Sequence, residues 1–186
     1  LSQFSDSNCL GCEFLFSKLD GVDDNDIETY RSILKFIQFL LQQGCISQVF
    51  VKRRDLFDKL LVRYHDTDEE SKHQILKIFK NMLDYKPFRN KIFDLDLSFS
   101  FTDFIENQNE KSILVILNII DFALGYYYRK GKQTPFLDFL CSSDEFMESL
   151  FNVSQEAPDE SLRNYSRLIG EKLNEIFQSN QNWTNS

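Results

Sequence analysis

The chain has 186 residues, of which 42% are hydrophobic and 27% charged, so it fits one globular domain or one contiguous repeat array and not a disordered tail. Its net charge of -8 disfavours nucleic-acid binding by the whole surface, since such surfaces are normally basic. Glycine (6) and proline (3) are too scarce for the turns of an all-β protein, so the composition predicts helices. An aromatic content of 15% indicates a large core, or apolar surface reserved for a partner.

Hydrophobic periodicity and boundary residues divide the first half of the chain into helical segments. The acidic stretch at residues 20–26 ends in good N-cap residues, and a second acidic stretch at 65–71 repeats this start signal. Pro87 should end the helix before it, because the residue preceding a proline avoids the helical region. The predicted helices of this half cover residues 9–19, 26–43, 52–64 and 72–85, followed by a short apolar segment at 88–93.

The second half is centred on residues 112–128, which are apolar on nearly every side of a helix. Such a helix is either the buried centre of a domain or a membrane span. Its apolar run is interrupted by Asn118 and Asp121 and is shorter than the roughly 20 residues that a bilayer needs, so we predict a core helix and no membrane contact. Further helices are predicted at residues 135–140, 144–151 and 160–177, and Ser143 is the expected N-cap of the second of these.

An internal repeat is the strongest signal in the chain. Successive long helices carry an isoleucine followed by a leucine, at Ile33, Ile75 and Ile113, with offsets of 42 (75 − 33) and 38 (113 − 75) residues. A second helix with a phenylalanine follows each of them, at Phe57, Phe101 and Phe146. A unit of long, short and medium helices with a period of about 40 residues resembles the armadillo/HEAT class of α-solenoids. The resemblance covers residues 26–177, and residues 68–105 match best.

This resemblance implies an all-α fold, an armadillo/HEAT-like right-handed helical repeat (α-α superhelix). Stacked repeats bury each other's faces, so the most apolar helix should be internal. The alternative is an irregular helical bundle without a superhelix. We predict a short N-terminal helix and acidic turn at residues 1–25, the repeat domain at 26–177 and a polar tail at 178–186.

The residues that could support catalysis or metal binding are few. His65 and His73 lie on either side of a predicted N-cap, and the chain has no Ser-His-Asp order, P-loop, glycine-rich fingerprint or HExxH motif. Cys9 and Cys12 form a CxxC pair, but a structural zinc site usually needs a second close pair, and the other two cysteines stand apart. We therefore predict a non-catalytic protein with no cofactor, no metal and no small-molecule substrate. Free thiols suit an intracellular protein, cytoplasmic or nuclear.

In an armadillo-like stack the long helices line a concave groove. The positions two, five and nine residues after each marker isoleucine should point away from the core and into this groove. They are Lys35, Gln38 and Gln42 in the first unit, Lys77, Lys80 and Asp84 in the second, and Val115, Asn118 and Phe122 in the third. Amides at these positions could bond the backbone of an extended peptide while the lysines meet its acidic side chains. The alternative is a solvated helix face, with Val115 and Phe122 packed under an adjoining helix.

Two local basic clusters give the chain a second candidate surface. Their members are Lys52, Arg53 and Arg54 at a helix start, and Arg129, Lys130 and Lys132 after the tyrosines at 126–128. Aromatic rings beside cations could stack on bases or grip a phosphate. More simply, the second cluster complements a helix C-terminus. The sequence therefore predicts a protein–protein interaction module, a scaffold or regulatory subunit that binds a peptide or helix of a larger complex; the alternative is a nucleic-acid- or chromosome-associated helical repeat protein.

Overall fold

The computed structural model describes residues 7–23, 26–43, 54–94, 101, 105, 109–131 and 134–184. These residues form nine helices and no strand, which confirms the all-α class. The helices are α1 (Ser7–Asp20), α2 (Ile27–Gln42), α3 (Arg54–Asp66), α4 (Glu69–Met82), α5 (Lys86–Asp94), α6 (Glu110–Lys130), α7 (Pro135–Ser142), α8 (Asp144–Glu156) and α9 (Glu160–Thr184).

Short polar side chains fix the N-terminal ends of the long helices. Asp26 accepts a hydrogen bond from the backbone N–H of Thr29 (3.2 Å) at the start of α2, and Asp68 accepts one from Ser71 (3.1 Å) at the start of α4. Asn109 caps α6 in the same way, and the predicted cap of α8, Ser143, is confirmed. Each cap satisfies a backbone donor that the helix itself cannot satisfy. The acidic and polar breaks seen in the sequence are therefore helix starts.

Most helix boundaries differ by a few residues from the sequence-based prediction, and three of the differences have a clear physical reason. Pro87 does not end a long helix, because α4 already ends at Met82 and Pro87 is the second residue of α5. A proline is tolerated in the first turn of a helix, where its missing N–H would have no partner. Helix α8 continues to Glu156, and α9 continues to Thr184 through residues assigned to a polar tail. Extending a helix that has already nucleated needs little extra stabilisation, so polar residues can continue it.

The chain divides into two compact units, residues 1–88 and 89–186. In the first unit α2 packs mainly on α4, while α3 also packs on α4 and α1 on α2. Phe57 of α3 is fully buried, with its ring 4.8 Å from that of Phe79 and 6.1 Å from that of Phe88. Leu34 and Ile75 are also fully buried, on the facing sides of α2 and α4. The apolar stripes read from the sequence therefore form the core of this unit.

In the second unit α9 contacts α6, α7 and α8. The core of this unit includes an aromatic cluster. The Phe136 ring lies 6.1 Å from that of Phe93 and 5.8 Å from that of Phe101, and all three side chains are buried. Polar contacts join α9 to its neighbours. Lys172 forms a salt bridge with Asp121 of α6 (3.0 Å), and the Cys141 thiol of α7 donates to the Leu173 carbonyl (3.4 Å).

Helix α6 is long and apolar enough, by length and composition alone, to cross a membrane. Half of its most apolar stretch is buried, and the helix contacts α7 and α9. Its Asp121 is held by a lysine of α9. This helix is longer than the apolar run considered in the sequence, so its length alone does not argue against a membrane span. The support for a core helix is its packing on α7 and α9 and its ion pair with α9.

Candidate functional site

The predicted groove residues of α2 lie on one side of that helix. Arg31, Lys35, Gln38 and Gln42 follow each other at spacings of four, three and four residues, which places them in one row. At its N-terminal end the row reaches the start of α4, where Arg31 donates two hydrogen bonds to Asp68 (2.6 and 3.2 Å). Lys35 and Gln42 are exposed, and Gln38 is half-buried.

The predicted groove residues of α4 lie on one side of that helix, at spacings of three and four residues. Lys80 and Asp84 are exposed and Lys77 is half-buried. Nearer the start of α4, the pKa of Glu70 is lowered, chiefly by a hydrogen bond from Gln74 and in smaller part by the nearby charges of Lys35 and Arg31. Glu70 and Lys77 are seven residues apart and so lie on the same side of α4, from which we infer that the two rows are neighbours on one surface. We call this surface the lysine face; its members are Lys35, Gln38, Gln42, Lys77, Lys80 and Asp84.

The three lysines of the lysine face form no salt bridge with the residues that the structure describes. Other cations of the first unit are used internally: Arg31 pairs with Asp68, Lys59 with Asp20, and Lys72 with Glu69. An acidic protein with eight more negative than positive side chains thus carries three lysines without a salt bridge on this one surface. Such a cluster can attract carboxylates or phosphates of a ligand.

The predicted groove residues of the third long helix have different surroundings. Val115, predicted to face outward, is buried with 7% of its surface exposed, whereas its neighbour Leu114 is 48% exposed, so the assignment of Val115 to the groove is wrong. Asn118 is half-buried, and its side-chain N–H donates to the carbonyl of Leu114 in its own helix (2.6 Å). Phe122 is half-buried, with its ring 6.4 Å from that of Phe93. These residues belong to the second unit.

The predicted basic clusters lie only partly within the described residues. Lys52, Arg53 and Lys132 lie outside them, and Arg54 is the first residue of α3. Arg129 and Lys130 are exposed in the last turn of α6. Arg129 donates to the carbonyl of Gly125 (3.0 Å), which is the expected use of a cation at a helix C-terminus.

The residues considered for catalysis and metal binding do not form a site within the described part of the chain. No group of three or more His, Cys, Asp or Glu side chains there could hold a metal ion. His73 is buried in α4. Cys9 and Cys12 lie on α1, and burial raises the pKa of the Cys141 thiol to about 12, so this thiol is not an activated nucleophile.

The second unit contains a cavity of about 500 Å³ that the sequence did not predict. It lies against α8, the first turns of α6 and α9, and Ile105. Its rim carries four glutamates, which are Glu110, Glu145, Glu148 and Glu156. Three of these glutamates lie on one side of α8, at spacings of three and eight residues. That acidic side of the helix could have been recognised in the sequence. The apolar floor comes from residues far apart in the chain, and no local pattern predicts it.

Comparison of the chain with protein-family models, with curated proteins and with solved structures finds no match. The function of the chain therefore has to be argued from its own surfaces.

Proposed function

We propose that this chain is a non-catalytic protein-interaction module, a scaffold or regulatory subunit that holds a peptide or helix of a partner on the lysine face. The observation that carries the proposal is the set of three lysines without salt bridges, Lys35, Lys77 and Lys80, on two helices that pack together. The partner segment should carry carboxylates opposite the lysines and offer its backbone to the amides of Gln38 and Gln42.

The helix starts support an armadillo/HEAT-like arrangement of the long helices. The N-caps Asp26, Asp68 and Asn109 are separated by 42 (68 − 26) and 41 (109 − 68) residues, a more regular period than the isoleucine markers give. Counted from these caps, Asn118 occupies the position of Lys35 and Lys77, nine residues into each unit. A period set by structural caps is the expected property of a repeat in which each unit begins in the same way.

The lysine face can be tested with peptides selected by display against the wild-type protein. Peptides that bind should be enriched in Asp and Glu, and their affinity should be measured by fluorescence anisotropy. The substitutions Lys35→Glu, Lys77→Glu and Lys80→Glu, made together, should weaken binding by about a hundredfold, because three attractive contacts become repulsive. Equal helicity and an equal Tm would show that the variant is folded.

A matched control reverses three lysines outside the lysine face. Lys18, Lys86 and Lys111 are exposed, so their replacement by Glu changes the net charge by the same amount. This control should retain binding within about threefold, the effect expected of long-range charge at ordinary ionic strength. Equal losses in both triple variants would contradict a specific site on the lysine face.

The alternative function is binding of single-stranded nucleic acid at the end of α6. Tyr128 is 53% exposed beside the exposed Arg129 and Lys130, and a ring next to cations can stack on a base. The substitutions Arg129→Glu and Lys130→Glu would abolish such binding and leave the lysine face intact. Binding to nucleic acid would also weaken steeply as salt is raised.

A further inference from the structure

The glutamate-rimmed cavity of the second unit combines two chemical surfaces. Its floor is apolar, formed by Ile105, Ile113, Val153, Ala157 and Leu162, each of them buried. Its rim carries exposed carboxylates from α6 and α8. A volume of about 500 Å³ is within the range of ligand sites and has room for a few side chains but not for a folded domain.

The four rim glutamates have no cationic partner among the described residues. None of them takes part in a salt bridge or a side-chain hydrogen bond there. Arg163 donates to the carbonyls of Ala157 and Pro158, which also line the cavity, and forms no salt bridge with a rim glutamate. The rim therefore presents four carboxylates that have no ion-pair partner among the described residues, around an apolar surface.

A serine hydroxyl adds a polar group to the same cavity. Ser149 lines the cavity with 7% of its surface exposed, and its hydroxyl makes no hydrogen bond with the described residues. Its oxygen is open to the cavity and is not an enclosed atom. A ligand that enters the cavity can bond it, for example through a backbone carbonyl or N–H.

We propose that this cavity binds a basic, amphipathic segment of a partner protein. An aliphatic or aromatic side chain of the segment packs on the Ile113 and Val153 floor, and neighbouring Lys or Arg side chains pair with the rim glutamates. A small cation alone would leave the apolar floor wet, and an apolar ligand alone would leave the carboxylates unpaired, so the two surfaces together favour a ligand with both features. This site is distinct from the lysine face, because its residues belong to the second unit and those of the lysine face to the first.

The test measures binding of two labelled peptides by fluorescence anisotropy. One is an amidated peptide of leucine, lysine and arginine; the other has the same charges with every leucine replaced by serine. The first should bind with a Kd on the order of micromolar, and the second about tenfold more weakly or worse, because it cannot use the apolar floor. Equal binding of both peptides would overturn the proposal, since it would mean charge attraction alone.

The protein variants place the peptide on the cavity. The pair Glu145→Gln and Glu148→Gln removes two rim charges and should weaken binding of the leucine-containing peptide by about tenfold. The matched control, Glu171→Gln with Glu175→Gln, removes two exposed charges of α9 that do not line the cavity. All four substitutions are at exposed positions, so both double variants should fold, which a thermal melt verifies.

A control variant that weakens binding as much as the rim variant would overturn the proposal. The triple lysine-face variant should bind this peptide at least as well as wild type. That result separates failure of the cavity from failure of the proposed function, since each surface has its own probe and its own variant.

Discussion

Arg31 of α2 reaches across to α4 and donates two hydrogen bonds to one oxygen of Asp68, at 2.6 Å from Nη2 and 3.2 Å from Nε. The same oxygen accepts the backbone N–H groups of Glu70 and Ser71 and so caps α4. The Ser71 hydroxyl donates to the other oxygen (2.6 Å). One carboxylate thus both starts α4 and fixes the N-terminal end of α2 beside it, which sets the register of the two helices that carry the lysine face.

The ion pair and the cap can be separated by mutation. Asp68→Asn keeps an N-capping side chain but removes the charge, and Arg31→Met keeps the aliphatic stem but removes the guanidinium. Each should lower the free energy of unfolding in urea titrations, and the double variant should lose little more than either single one. Additive losses would show that the two side chains stabilise the protein independently. Asp68→Ala removes the cap as well and should cost about 1 kcal/mol more.

Acid should expose the same contact. Partial burial raises the pKa of Asp68, but the hydrogen bonds from Arg31 and Ser71 outweigh this effect and lower it to about 2. Because the pKa in the folded protein is depressed from the usual value of 3.8, this group stabilises the fold fully above about pH 4 and loses its contribution as pH falls toward 2. Wild type should therefore lose more stability over this window than Asp68→Asn. Parallel curves of unfolding free energy against pH would contradict the assignment.

Alanine substitution of two glycines, one inside α6 and one directly after it, should change the stability of the protein in opposite directions. Gly125 lies inside the helix, and a Cβ there would come no closer than 4.0 Å to a flexible arginine tip, so Gly125→Ala should stabilise by about 1 kcal/mol. Gly131 follows the last turn with φ of +60°, where a Cβ is strained, so Gly131→Ala should destabilise by about 1 kcal/mol. Thermal melts of both variants would show Tm shifts of opposite sign.

The Cys141 thiol should be protected from chemical modification by the fold. It is buried against α9, donates to the Leu173 carbonyl and has its pKa raised to about 12, so its thiolate is scarce near neutral pH. With Cys9, Cys12 and Cys45 replaced by serine, Ellman's reagent should react many times more slowly with the native protein than with protein in denaturant. Rapid reaction of the native variant would place Cys141 at the surface.

The parts of the fold that the sequence predicted depend on interactions between residues close together in the chain. Capping residues such as Asp26 and Ser143 carry their own hydrogen-bonding chemistry, and apolar periodicity located the helices that Leu34 and Ile75 anchor. Pro87 was less useful for locating a helix end. A proline disfavours the helical conformation of the residue before it, but α4 ends earlier, at Met82, and Pro87 lies in the first turn of α5. Helix ends depend on the neighbouring elements, and sequence alone does not specify them well.

The candidate site was only partly predictable for a related reason. The lysine face follows from the register of α2 and α4, which their N-caps establish. In α6 the marker isoleucine at 113 gave a register that placed Val115 outward, whereas packing buries Val115 and exposes Leu114. The glutamate-rimmed cavity depends on side chains from Ile105 to Leu162 meeting in space, which is a tertiary property.

The central claim is that a partner segment binds on the lysine face. The most direct measurement is a titration of isotope-labelled protein with an acidic peptide selected by display, followed by amide shifts in ¹H–¹⁵N spectra. The account predicts that the largest shifts, saturating together, fall on residues of α2 and α4 around Lys35, Gln38 and Lys77. Shifts concentrated around Arg129 and Lys130, or spread evenly without saturation, would contradict it.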